Sequence, residues 1–222
     1  MAKAIKSVVL IGASMAFAIC AQAANASPIE VYGGVGTDGI GLGAGYGISS
    51  HFGARAEVDG FHLAHNFSAG DLHYDASLTL IHGGLFADFF PAPSVFPVRL
   101  TAGVLVGGDN LSGDATSTSG TYSFNGTTVD TNGESVHAKL KYPTLRPYLG
   151  IGFGHNPNKR GLSMAFDAGV AYGKPKVSFD VPADIVSAAG QENVNAEESQ
   201  LQSKANKLRF YPIVKVSVTY RF

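Results

Sequence analysis

The stretch Leu208-Arg-Phe-Tyr-Pro-Ile-Val-Lys-Val-Ser-Val-Thr-Tyr-Arg-Phe222 decides the fold. Its even positions read Leu208, Phe210, Pro212, Val214, Val216, Val218, Tyr220 and Phe222. Its odd positions read Arg209, Tyr211, Ile213, Lys215, Ser217, Thr219 and Arg221. Side chains of a strand alternate between its two faces. One face of this segment is therefore apolar throughout, and the other is mostly polar or charged. The pattern runs to an aromatic final residue. It is the alternation expected of a strand with lipid on one side and a barrel lumen on the other.

The opposite end of the chain points to export. Lys3 and Lys6 precede a short apolar stretch over 8–19, followed by the small residues of Ala21-Gln22-Ala23 and Ala24-Asn25-Ala26. This pattern predicts a signal peptide over 1–26, removed from a barrel domain over 27–222. The stretch is shorter than the roughly 20 residues of a membrane-spanning helix. Ile19 is too bulky to precede a lipidated Cys20.

Composition narrows the class. Charged residues make up 15% of the chain, against about 25% in soluble domains. The net charge is −1, and −3 once Lys3 and Lys6 are gone, which is no footprint for nucleic acid. Cys20 is the sole cysteine, so the mature chain holds no disulfide. Such a chain, exported and without long apolar helices, suits an all-β transmembrane barrel.

Eight candidate strands follow one another, at about 29–36, 40–48, 52–61, 72–90, 98–107, 145–154, 161–173 and 208–222. In the fourth, alternation slips a residue near Gly83-Gly84, which predicts a bulge. The connections after the second, fourth and sixth strands are short, and those after the third, fifth and seventh are longer and polar. An even strand count puts both termini on one side, the periplasmic side in outer-membrane proteins. Asp109 to Tyr142 and Lys174 to Lys207 are then expected outside the cell. In the latter, Asn195 to Lys207 reads as a short helix, with Asn195 and Glu198 at capping-box spacing and Lys204 and Lys207 at its end.

Three features set the apolar face toward lipid. Glycines fill the polar face of the second strand (Gly41, Gly43, Gly45, Gly47) and of the sixth (Gly150, Gly152, Gly154). Such glycines weaken a soluble sheet but make room inside a narrow barrel. Aromatic residues lie near strand ends: Tyr46, Phe52, Phe89, Phe96, Phe153, Tyr172, Tyr220 and Phe222. The chain also ends on Tyr220-Arg221-Phe222, with Tyr220 and Phe222 as a membrane-assembly signature.

The polar face then lines the lumen. Its acids are Glu30, Glu57, Asp59, Asp75, Asp88 and Asp167, and its bases are Arg55, Arg99, Arg146, Arg209, Lys215 and Arg221. Eight strands enclose a space that side chains just fill. Opposite charges in that space should pair, because an unpaired buried charge is costly. The expectation is a salt-bridged plug. A narrow path for a small zwitterion is the alternative.

The closing segment, together with Arg146-Pro-Tyr-Leu-Gly-Ile-Gly-Phe-Gly154, resembles small outer-membrane barrels of Gram-negative bacteria. These include the OmpA-type and OmpW-type barrels and the CarO-type proteins, described as porins for basic amino acids. The resemblance implies an integral outer-membrane protein and carries over no substrate site. The function expected is structural or surface-interacting and non-enzymatic. A porin-like channel for small zwitterionic or basic amino-acid solutes is second, and a lipid-modifying enzyme third.

No motif requires a catalytic, metal or cofactor site. His62 and His65 are expected as a solvated loop pair. His82, Asp88, His155, Ser163 and Asp167 offer the residue types of a hydrolytic triad, which only spatial arrangement can define. The partners expected are outer-membrane lipid, the barrel-assembly machinery and an extracellular ligand at the loops. The chain is expected to be a monomer.

Overall fold

The computed structural model describes residues 28–96, 98–131 and 133–222. The signal-peptide segment over 1–26 lies outside the described residues.

Eight strands close into an antiparallel ring: β1 (Ile29–Gly36), β2 (Gly39–Gly47), β3 (Phe52–Ala69), β4 (Leu72–Phe89), β5 (Val98–Gly107), β10 (Leu145–Phe153), β11 (Gly161–Tyr172) and β13 (Phe210–Arg221). Each pairs with the next around the ring; β10 also pairs with β5, and β13 with β1. The last pairing carries the closure, with Glu30 opposite Arg221 and Gly36 opposite Lys215. A closed ring leaves no strand edge, so every backbone group in it has a partner. Among the described residues no helix is long and apolar enough to cross a membrane.

The closing strand shows which face is which. Val214, Val216, Val218, Tyr220 and Phe222 are exposed on the outside. Lys215, Ser217, Thr219 and Arg221 are buried inside. The same inversion runs round the ring: Leu42 is 73% exposed and Leu149 70%, while Arg99 is fully buried. A soluble protein does not leave such a continuous apolar belt in water. Acyl chains are the solvent that fits it. Rings mark both edges of the belt. Phe52–Phe89, Phe96–Phe153 and Tyr220–Phe222 pair at the rim holding the termini, with centroids 5.2, 5.7 and 5.0 Å apart. Tyr172 and Phe210 pair at the other rim at 5.4 Å.

Beyond that second rim the chain builds more sheet. β3 and β4 stay paired from Phe52–Phe89 up to Ala69–Leu72, so the segment expected as a loop is a long hairpin. His62 and His65 lie on β3, on opposite faces, and the His62 Nδ1 and Thr79 Oγ1 atoms are 3.0 Å apart. The sheet widens through β6 (Asn110–Ser117), β9 (Ser135–Lys141) and β12 (Lys176–Asp180). A small hairpin, β7 (Thr121–Phe124) with β8 (Thr127–Asp130), packs on its inner face. Helices α1 (Ala183–Ala189) and α2 (Gln191–Ala205) complete the cover.

Two sequence expectations need correction here. The β3–β4 and β4–β5 registers run unbroken through Gly83 and Gly84, so no bulge exists. What changes, between Leu80 and Ile81, is the environment. From Ile81 toward the termini-bearing rim the apolar side chains of β4 face out, as with Ile81 and Leu85; on the other side of that step Leu80 faces in, and Leu72 packs against the core under β7, α1 and α2. The helix in the last connection begins at Gln191, so Asn195 lies inside α2 and caps nothing. Gly190, at φ +85°, separates α2 from α1, a conformation favourable to glycine alone. Sequence spacing missed this because Val194, Ile185 and Ala189 are buried together across both helices.

Candidate functional site

Ten of the twelve charges expected to line the lumen are buried inside the ring: Glu30, Arg55, Glu57, Asp59, Asp88, Arg99, Arg146, Asp167, Lys215 and Arg221. Asp75 and Arg209 stand elsewhere. Asp75 is exposed on the upper hairpin, 3.8 Å from His73. Arg209 is exposed at the rim, its guanidinium 5.4 Å from the Phe210 ring centroid. β4 runs past the lumen at Asp75, and β13 begins only at Phe210, after Arg209, so period two alone overran the lumen at both ends.

Near the termini, two arginines grip two aspartates. Arg55 Nε donates to Asp88 Oδ2 at 2.5 Å, and its Nη2 to Asp167 at 3.3 Å. Arg99 Nε donates to Asp88 Oδ1 at 3.2 Å, and its Nη2 to Asp167. Thr101 adds a hydroxyl donor to Asp88 at 2.6 Å. Below them Arg221 donates to Glu30 at 2.9 Å, and Glu30 also contacts His155.

Toward the other rim, Lys215 Nζ lies 2.8 Å from Glu57, 2.6 Å from Asp59 and 3.0 Å from Asp38. Asp109 accepts a backbone hydrogen bond from Ile81, lies 3.1 Å from His82 and pairs with Arg146 at 2.5 Å. Asp38, Asp59 and His82 come close enough together to suggest a cation site. The Lys215 ammonium already sits against both aspartates there.

Four of these groups escaped the sequence reading as lumen residues: Asp38, His82, Asp109 and His155. Asp38 lies in the tight β1–β2 turn, Asp109 just beyond β5, and His155 in the turn after β10. Alternation along a strand cannot place turn residues that fold back into the mouth of a barrel. His82 was visible on β4, but the supposed slip obscured its direction. With them included, seven carboxylates face five permanent cations and two histidines, where the sequence suggested six against six.

Aromatic and apolar side chains fill the middle. Tyr32 donates to Glu57 at 3.1 Å and meets the His155 ring edge to face at 4.6 Å. Phe86 and Tyr148 pack at 5.2 Å beside Leu105, Ala171 and Ile213. The glycine face accommodates them. A Cβ at Gly152 would lie 2.7 Å from the Arg99 guanidinium carbon, and one at Gly43 would strike the Tyr32 ring. The cavity left among Arg55, Glu57, Tyr148, Asp167 and Lys215 measures about 10 Å³, roughly one water.

Of the residues with triad chemistry, His155 and Asp167 come together, with His155 Nε2 3.8 Å from Asp167 Oδ2. The Ser163 hydroxyl lies 2.7 Å from that of Thr219, and His82 is engaged with Asp109 near the far rim.

No family model and no curated relative match the chain. Solved structures do. CarO of Acinetobacter baumannii is 18% identical, with a TM-score of 0.57 over 88% of this chain and 98% of that one. CarO2 of Acinetobacter baumannii is 18% identical, with a TM-score of 0.58 over 90% of this chain and 100% of that one. At these identities the likeness concerns the fold. The chain is an eight-stranded antiparallel barrel of the kind found in small outer-membrane proteins.

Proposed function

We propose that this protein resides in the bacterial outer membrane as a closed barrel that anchors an extracellular sheet, with a structural or surface-interacting role. The apolar belt, the aromatic edges and the likeness to solved outer-membrane barrels support the location. The observation that carries the closed barrel is the pairing of Arg55, Arg99, Lys215 and Arg221 with Asp88, Asp167, Glu57, Asp59 and Glu30 across the lumen. These groups come from strands all round the ring. Opening a path would separate several buried pairs at once, each costing about 3–5 kcal/mol when broken. The long sheet and its helices then face the cell exterior, where a ligand or partner would meet them.

The test is ion conductance of the detergent-folded protein in a planar lipid bilayer. Insertion without discrete steps is expected. Steps of fixed size would overturn the closed barrel and favour the second reading, a channel for small solutes. For that reading the excess of carboxylates over permanent cations predicts selectivity for cations. A non-enzymatic role predicts no lipid hydrolysis; hydrolysis lost in His82→Ala or Ser163→Ala would contradict it.

A further inference from the structure

The strand registers arrange the outer face of the extracellular sheet in rungs. Thr79, Asn110, Lys141 and Lys176 lie side by side across β4, β6, β9 and β12. The next rung on the same face is Ser77, Ser112, Lys139 and Ser178. The one beyond is Asp75, Asp114, His137 and Asp180. Residues directly opposite one another share a face, so bases gather at one end of this surface and acids at the other. Four residues separate the outer two rungs, about 13 Å along a strand. That exceeds the screening length of about 8 Å at physiological salt.

The basic end is the one next to the apolar belt. Thr79 is two residues along the same face of β4 from Ile81, which is lipid-facing. Leu145, also lipid-facing, enters β10 four residues after Lys141. Tyr172, a rim aromatic, ends β11 four residues before Lys176. Three separate strand paths thus place the lysine rung just above the hydrocarbon boundary.

Lys139, Lys141 and Lys176 are exposed, and among the described residues none forms an ion pair. Lys141 and Lys176 stand directly opposite each other, an arrangement that repels without a counter-charge. The carboxylates of Asp75 and Asp114 are engaged higher up with His73 and His137. The surface is complementary to an anion located at headgroup depth. We propose that Lys139, Lys141 and Lys176 bind the phosphate groups of an outer-leaflet lipid headgroup, with the hydroxyls and amide of Ser77, Thr79, Asn110, Ser112 and Ser178 offering hydrogen bonds beside them. The proposal rests on the outer-membrane reading above.

The experiment uses the full folded barrel in phosphatidylcholine nanodiscs. These are doped with phosphorylated lipid A or its dephosphorylated form, and retained lipid is counted by native mass spectrometry. The wild type should retain the phosphorylated form selectively. Lys141→Gln should weaken retention about fivefold, and the triple variant Lys139→Gln, Lys141→Gln, Lys176→Gln about a hundredfold. Asp180→Asn, on the same face, should leave it unchanged. Heat-modifiable gel mobility checks that each variant is folded. Equal retention by the wild type and the folded triple variant, or of both lipid forms, would overturn the proposal while leaving the membrane reading intact. Equal saturation by inorganic phosphate without lipid A would assign the surface to free phosphate instead. Failure of the wild type to enter nanodiscs would overturn the membrane reading itself.

Discussion

β4 passes through two environments without changing its geometry. In the ring, its odd positions Ile81, Leu85 and Phe89 face out and are apolar, while His82 and Asp88 face in and are buried. In the sheet beyond the ring, its odd positions Ser77 and Thr79 still face out but are polar, and Leu72 packs inward against the cluster that contains Tyr122, Phe124 and Ile185. The register is continuous between them. What differs is the solvent. Lipid rewards apolar atoms outside and forces charges to find partners inside; water does the reverse. Backbone pairing fixes where each side chain points, and the medium decides which residues are tolerated there.

This comparison can be broken or sharpened by substitution. The largest effect is expected inside the ring. Arg99→Met removes a cation from both Asp88 and Asp167, and should cost about 3–5 kcal/mol. A much lower temperature for loss of heat-modifiable gel mobility would register it. Leu149→Arg on the lipid face should cost about 2–4 kcal/mol in lipid, measured by urea titration of the bilayer-inserted barrel. Gly152→Val pushes a side chain onto Arg99 and should cost about 1–3 kcal/mol by overpacking, read in the same titration. Ser112→Arg, outward on the sheet beyond the ring, should change stability by less than about 0.5 kcal/mol. A cost there matching that of Leu149→Arg would mean that the sheet, too, lies in lipid.

A pH effect should be centred on Asp109, at the mouth between the two regions. Burial raises its pKa, but hydrogen bonds and charge from His82 and Arg146 outweigh that and hold it below the ordinary carboxylate value. Its folded pKa is depressed, so its contribution is present above about pH 4 and is lost as the pH falls through the folded value. Acid melts of wild type and Asp109→Asn should therefore converge at low pH and separate near neutrality.

The ring was legible in sequence because period two and an apolar–polar contrast persist along each of its strands, most clearly over 208–222. The lumen was legible as far as strands carry it, which covers Arg55, Arg99 and Lys215. Asp38, Asp109 and His155 were hidden, since turn residues have no periodicity to reveal their direction. The sheet beyond the ring was hidden for a different reason. Its strand β6 (Asn110-Leu-Ser-Gly-Asp-Ala-Thr-Ser117) is mostly small and polar like a solvated loop, β12 spans only Lys176–Asp180, and the pairing of both depends on β9, distant in sequence. The apparent bulge at Gly83-Gly84 was a misplaced reading of a change that occurs between Leu80 and Ile81, where the apolar face of β4 switches with no break in register.

The most direct test of this inversion uses two single cysteines on that one face, in a chain whose one native cysteine, Cys20, is replaced by Ser. Leu85→Cys and Ser77→Cys are each labelled with an environment-sensitive fluorophore in bilayers. Brominated acyl chains should quench the label at position 85 and spare the one at 77, while a water-soluble quencher should do the opposite. Equal quenching of both labels by either agent would contradict the account.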